Sequence, residues 1–384
     1  MGEPTMGRGE TTPARDRADH GILPGVERIA VLRAGGLGDL LFAVPAIRAL
    51  AAAYPDAEIT LLGSRAAAEV FAGRRGGPHR VHVLPPIRGV GAAADALVDE
   101  GDVDRFAEGE RRERYDIAVQ LHGGGRYSNP FLRRLDAGCT IGTRTPDAED
   151  LDRSIDYVYY QHEMVRGLEV AGLVGAVPVE VEARMELLES ERERGLELAG
   201  GGRPVVVVHP GATDPRRRWP VERFAQVIGA LVHDGARAIL VGDAGEQELC
   251  GRVAASARFG IPESEGERVV DLSGGLGLSE LVGVLGTADL VIGNDSGPRH
   301  LAQALGTRTA SVYWFGNLIN AGPLGRERHR AQISWTTRCP VCGRDCTQVG
   351  WTSERCEHDV SFVADVLAEP VIEDARRLLA AARG

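Results

Sequence analysis

"RIAVLRAGGLGD", residues 28–39, sets the fold of the first half of the chain. Ile29 to Leu32 is an apolar run that reads as a strand buried on both faces. Arg33 to Gly38 is a glycine-rich turn, and a helical pattern follows Asp39 as far as about Ala53. "PVVVVHPGATD", residues 204–214, repeats the design in the second half. Between these, short Val/Ile/Leu runs recur at 59–62, 81–84 and 117–120, and again at 205–208, 238–241, 290–292 and 309–312, separated by amphipathic stretches. Strands of this kind alternating with helices predict an α/β protein with two doubly wound parallel sheets. The charged run "ESERERGLELAGGGRP", residues 189–204, ends in three glycines and places the seam near residue 200, giving domains 26–200 and 201–384. Such sheets take ligands outside the carboxyl ends of their strands, so chemistry is expected in the cleft between them.

Bulk properties bound the function. The 384 residues are 43% apolar and carry 44 Lys+Arg against 55 Asp+Glu, a net charge of −11. That balance argues against a nucleic-acid partner and allows at most peripheral contact with a membrane, so an anionic ligand needs a local cluster of cations. Residues 1–25, rich in Gly, Pro, Thr and charge, read as a disordered leader without a signal-peptide core. No later run has the apolar length of a membrane span, and a cytoplasmic location is expected.

Three loops can carry chemistry. The first, after the opening strand, fails as a dinucleotide fingerprint because Leu41 stands where a third glycine is needed, and no Lys-Ser or Lys-Thr follows to make a P-loop. It delivers Asp39 to a helix start, where a carboxylate either caps the helix or accepts a proton, and the side-chain-free turn through Gly38 would let an acceptor approach it. The second, "HPGATDPRRRWP" at 209–220, sets Thr213, Arg217 and Arg218 after a central strand. In an acidic chain this is a site for a diphosphate or else a solvated basic turn. The third, "LVIGNDSGPRHLAQALG" at 290–306, brings Asp295, Ser296 and Gly297 to a helix start, whose free N–H groups suit an anion. His300 lines the same cleft or packs in the core. A weaker loop, 239–249, offers Glu246 to a ribose or to a helix N-terminus. In "VQLHGGGRYSNPFLRRL", residues 119–135, Gln120, His122, Arg126 and Asn129 either face an acceptor or cap and pack locally.

Together, "GGLGDLLFAVPAIRAL", "HPGATDPRRRWPVERFAQVI" and "DLVIGNDSGPRHLAQALG", in this order and separation, resemble glycosyltransferase family 9, the ADP-heptose:lipopolysaccharide heptosyltransferases and their relatives, over roughly residues 27–360. The resemblance implies the GT-B architecture, two Rossmann-like domains with the acceptor held mainly by the first and the nucleotide sugar by the second. It implies inverting transfer of a sugar, heptose above all, from an ADP-activated donor to lipopolysaccharide core or another glycan or glycoside, with no cofactor and no metal. In that family the Asp of the "GD" motif, Asp39 here, is held to be the general base. Arg217 stands where a donor-phosphate lysine is common, and Asp295 to Gly297 with His300 contact the donor. The alternatives are a nucleotide-sugar 2-epimerase of the same architecture and a nucleotide-sugar-binding protein without catalysis.

Four of the six cysteines, Cys339, Cys342, Cys346 and Cys356, crowd the segment 339–356, with His358 just beyond. Such density in a cytoplasmic chain favours structural zinc over disulfides, although the spacing is irregular for paired CxxC knuckles.

Overall fold

The computed structural model describes residues 21–202, 204–347 and 354–382. Residues 1–20 of the expected leader and part of the cysteine-rich segment lie outside them. Two six-stranded, all-parallel sheets form the frame. The first contains β1 (Arg28–Leu32), β2 (Glu58–Gly63), β3 (Arg80–Val83), β4 (Ile117–Gln120), β5 (Cys139–Arg144) and β6 (Arg153–Asp156). The second contains β7 (Val205–His209), β8 (Arg237–Leu240), β9 (Val269–Asp271), β10 (Leu290–Asn294), β11 (Thr309–Trp314) and β12 (His329–Ser334). The spatial orders are β3-β2-β1-β4-β5-β6 and β9-β8-β7-β10-β11-β12. Both are the doubly wound order that reverses direction beside its first strand.

That reversal decides where ligands bind. In the first sheet Leu32 pairs with Gln120, so the loops leaving β1 and β4 diverge from adjacent strands and leave a crevice. In the second, His209 pairs with Gly293, and the loops leaving β7 and β10 do the same. The central strands carry this load because they are wholly buried: all five residues of β7 and of β10, and the four apolar residues of β1. The edge strands are more polar. β12, HRAQIS, and β6, RSID, lack the apolar runs that mark strands in sequence, because each has a neighbour on one side alone.

Leu37–Ala53 is one helix running through Pro45. Its ten buried residues from Leu40 to Leu50 sit between β1 and the helix Glu163–Gly172, so tertiary packing overrides the hydrogen bond that Pro45 cannot donate. The helix ends at Tyr54, directly before Pro55, whose ring disfavours helical backbone at the preceding residue.

Helix Glu189–Ala199 precedes residue 200 in the chain but packs on Leu278–Thr287 of the second half. The two backbones meet at glycines: a Cβ on Gly195 would lie 2.2 Å from the Gly283 carbonyl oxygen, and one on Gly283 would lie 2.2 Å from that of Glu191. The same helix reaches the first half through Glu191, whose carboxylate pairs with the Arg74 guanidinium, both side chains almost wholly buried. We expect Gly283→Ala to lower the unfolding free energy by about 1–3 kcal/mol through overpacking, read from urea midpoints at constant m. A midpoint equal to wild type would show that the helices separate freely.

Candidate active site

The four loops at the two reversals border a single cleft of about 760 Å³. On the first-half wall, Gly35 adopts a φ of +107° and so turns the chain where a side chain would collide with the Asp39 carboxylate. Asp39 is the third residue of its helix, and its Oδ2 accepts the Gly36 N–H at 3.0 Å. The other oxygen, Oδ1, accepts from Arg33 Nη2 at 2.8 Å, and the side chain remains 47% exposed, facing the cleft. Capping and access to solvent therefore coexist in one carboxylate. Arg33 is buried and also donates to Glu163 Oε2 at 3.1 Å and to the Asp39 backbone oxygen at 2.9 Å. Burial works against its charge, but the two carboxylates outweigh it and hold the guanidinium protonated. Neither Arg33 nor Glu163 carried a sequence signal: Arg33 looked like part of the turn, and Glu163 comes from a helix more than a hundred residues away.

The second-half wall is built around Asp295, at the end of β10. Its Oδ2 accepts from Arg217 Nη1 at 2.8 Å and its Oδ1 from His300 Nε2 at 2.9 Å. Burial alone would raise this carboxyl, but His300 and Arg217 overcome it and hold it at about 2. Arg299, fully buried, donates to His300 Nδ1 at 2.6 Å, which fixes the imidazole proton on Nε2, pointing at Asp295. Burial and the Arg299 charge push His300 down to about 4. His209, closing β7, links Ser296 Oγ and Glu246 Oε2, each at 3.0 Å. Burial would raise the Glu246 carboxyl, but the His209 hydrogen bond prevails and holds it below the usual range. Ser296 stands at the N-cap position of helix Gly297–Ala304 with its side chain turned to His209 instead of capping the helix, and that helix start opens into the cleft.

Of the residues singled out in sequence, Gly38, Asp39, His122, Thr213, Arg217, Glu246, Asp295, Ser296, Gly297 and His300 all line this cleft. The halves meet here: the Phe42 and His300 rings stand edge to face at 4.8 Å, and Gly38 lies against the His300 ring. Four residues are placed elsewhere. Gln120 is fully buried and hydrogen-bonds the His122 carbonyl at 2.9 Å and Ser128 Oγ at 2.6 Å, so it shapes the loop after β4 and reaches no ligand. Arg126 is turned to the surface, 3.5 Å from Asp147, and faces a separate depression. Arg218 Nε donates to the Ala212 carbonyl at 2.9 Å and braces the loop from behind. Asn129 likewise serves the fold, donating to the Glu149 carbonyl at 2.9 Å. The thiol of Cys346 lies outside the cluster formed by the other three cysteines of its segment and donates to the Arg344 carbonyl at 3.8 Å. His358 joins that cluster instead.

The histidines give a pH prediction. His300 and His329 are each pushed down to about 4 by burial first and by Arg299 next. The unfolded chain therefore binds protons that the folded chain refuses, so their stabilisation is complete above an ordinary histidine pKa of 6.5 and is lost as the pH falls toward 4. Urea midpoints should drop between pH 7 and 4.5, and His329→Asn, remote from the cleft, should flatten the slope. Midpoints independent of pH across that window would contradict the assignment.

Two Rossmann-like sheets closing on one cleft, a carboxylate on one wall and cations with a helix N-terminus on the other, define the class: a GT-B enzyme built for glycosyl transfer. The sequence profile of glycosyltransferase family 9 (heptosyltransferase) matches residues 103–346. The chain belongs to glycosyltransferase family 9. It is 22% identical over 302 residues to lipooligosaccharide heptosyltransferase 2 of Haemophilus ducreyi, covering 75% of this chain and 83% of that one. In fold it is similar to the E. coli ADP-heptose LPS heptosyltransferase II structure, with a TM-score of 0.71 and 18% identity, covering 93% of this chain and all of that one. It is also similar to E. coli heptosyltransferase WaaC with ADP, with a TM-score of 0.61 and 20% identity, over 80% of this chain and 93% of that one. Among the described residues no helix is long and apolar enough to cross a membrane.

Proposed function

We propose that the chain transfers heptose from an ADP-activated donor to a sugar hydroxyl of a lipopolysaccharide-core or related glycan acceptor, with inversion and without a metal. The observation that carries this reading is the opposition of Asp39 to the Arg217–Asp295–His300 wall across one cleft. The acceptor oxygen forms its bond to the anomeric carbon as the bond from that carbon to the ADP oxygen breaks, and the hydroxyl proton passes to the Asp39 carboxylate. Attack from the face opposite the leaving group inverts the centre. Arg33 keeps its charge partnered by Glu163 while Asp39 gains the proton.

On the donor side Arg217 spends one N–H on Asp295, which leaves further N–H groups of its fork for the diphosphate. The free N–H groups at the start of helix Gly297–Ala304 add a positive dipole end. Cations placed in advance stabilise the departing diphosphate, which removes the need for a bound metal. Leu276, Leu278 and Leu281 supply an apolar patch beside Glu246, a setting for the base with a carboxylate for the ribose. The ADP in the related WaaC structure supports the choice of nucleotide.

A thermal-shift series with ADP, UDP and GDP tests the donor. ADP should raise Tm at concentrations where the other two do not, since a ligand bound by the folded state alone stabilises it by mass action. Equal shifts with all three would sink the ADP assignment.

A further inference from the structure

The cleft uses none of the cysteines, yet three of them and a histidine form a cluster near the carboxyl end of the chain. The thiols of Cys339, Cys342 and Cys356 and a ring nitrogen of His358 all lie within 4.8 Å of one another. A tetrahedral ion with metal–sulfur bonds of about 2.3 Å would set its sulfurs about 3.8 Å apart, so small side-chain adjustments bring the four donors to one centre. The backbone is shaped for this. Gly343 N–H closes a tight turn on the Cys339 carbonyl at 2.9 Å, Cys339 N–H donates to the Arg344 carbonyl at 2.8 Å, and Gly343 takes the left-handed φ of +70° that lets the chain double back. Cys339 and Cys342 therefore come from one turn, while Cys356 and His358 arrive together from a second strand of chain.

An independent observation points to a ligand. His358 Nδ1 is buried and has no hydrogen-bond partner among the described residues. An imidazole nitrogen withdrawn from water needs a donor or an electron-pair acceptor, and the neighbouring thiols are weak donors.

We propose that Cys339, Cys342, Cys356 and His358 bind one zinc ion as a closed structural site, in the spacing C-x2-C-x13-C-x-H. On binding, the three thiols release their protons to the solvent and the neutral imidazole contributes its lone pair; no electron is transferred. Three thiolates with one imidazole are a set that structural zinc takes in tetrahedral geometry, and four protein donors leave no open position for catalysis. Cys346 is excluded because its thiol lies outside this group of mutually close donor atoms and donates instead to the Arg344 carbonyl at 3.8 Å.

The site holds a segment that lies on the arginine loop. Just past His358, Ser361 Oγ donates to the Arg218 carbonyl at 2.6 Å and Phe362 N–H to the Arg216 carbonyl at 2.7 Å. Zinc thus closes the segment between β12 and these contacts, in a stretch with few apolar residues of its own. The role is structural, distinct from metal-independent transfer in the cleft.

Metal content decides the matter. Untagged protein purified with reductant should carry about one zinc per chain by plasma mass spectrometry, and chelation should release that zinc with three newly titratable thiols and lower Tm. Cys339→Ser and Cys356→Ser should each lose the ion, while Cys346→Ser keeps it. Wild-type apoprotein reloaded with cobalt should give the spectrum of a tetrahedral cobalt thiolate, a readout free of any folding defect in a variant. A chain without bound metal and without the cobalt spectrum, or one that keeps its zinc in Cys339→Ser, overturns the site. Iron at one per chain overturns the choice of zinc.

Discussion

Asp39→Asn is expected to lower kcat by about 10²–10⁴-fold, the usual contribution of a positioned general base, while ADP affinity stays within about twofold of wild type. Asparagine nearly preserves shape and can still accept one of the two hydrogen bonds that now reach the carboxylate from Arg33 and Gly36. What it loses is the capacity to take the acceptor proton. Initial rates of ADP release from ADP-heptose in the presence of acceptor, paired with calorimetric ADP titration, separate the two effects. Undiminished kcat would remove Asp39 from the chemistry and return it to its capping role.

Arg217→Ala has the second large effect, an expected loss of about 10²–10³-fold in kcat/KM, comparable with removing one preorganised donor from a site of developing negative charge. Two losses combine. The diphosphate loses its charge-assisted partner, and Asp295 keeps His300 alone as counterweight to its burial. The Asp295 carboxyl should then titrate higher than about 2. Arg217→Lys should restore part of the rate, since it returns the charge without the planar fork. Steady-state kinetics of the three forms would show this order, and an alanine variant as active as the lysine variant would contradict it.

The central architecture was legible because the strands that build it are continuous apolar runs. β1, β4, β7 and β10 announce themselves in sequence, and the loops leaving them carry Asp39, His122, Arg217 and Asp295 into the cleft. Of the edge strands, β3 was legible as the run at 81–84, but β6, β9 and β12 were not, since half-exposed polar segments such as RSID have no period to read. Within the site, the arginine run shows the limit most clearly. Three adjacent guanidinium groups diverge: Arg216 turns back on Asp214 and stacks over Phe362, Arg217 enters the cleft to Asp295, and Arg218 braces Ala212. No property of the sequence RRR separates these fates. Only the short turn of 3-10 helix at Pro215–Arg217 and the partners around it do. Arg33, Glu163 and His209 were missed for a related reason: each acts through a residue distant in the chain, whereas a motif records only neighbours. Gln120 and Arg126 were candidates because they follow a central strand, but burial takes one and solvent the other.

The central claim is a division of labour across the cleft, with proton removal on the Asp39 wall and diphosphate binding on the Arg217 wall. It is tested most directly by calorimetric ADP titration of wild type, Asp39→Asn and Arg217→Ala side by side, at one pH and salt concentration. The account predicts that Arg217→Ala weakens ADP by about 10–100-fold, the range of a charge-assisted hydrogen bond, while Asp39→Asn binds as wild type does. Equal weakening in both variants, or none in Arg217→Ala, would contradict it.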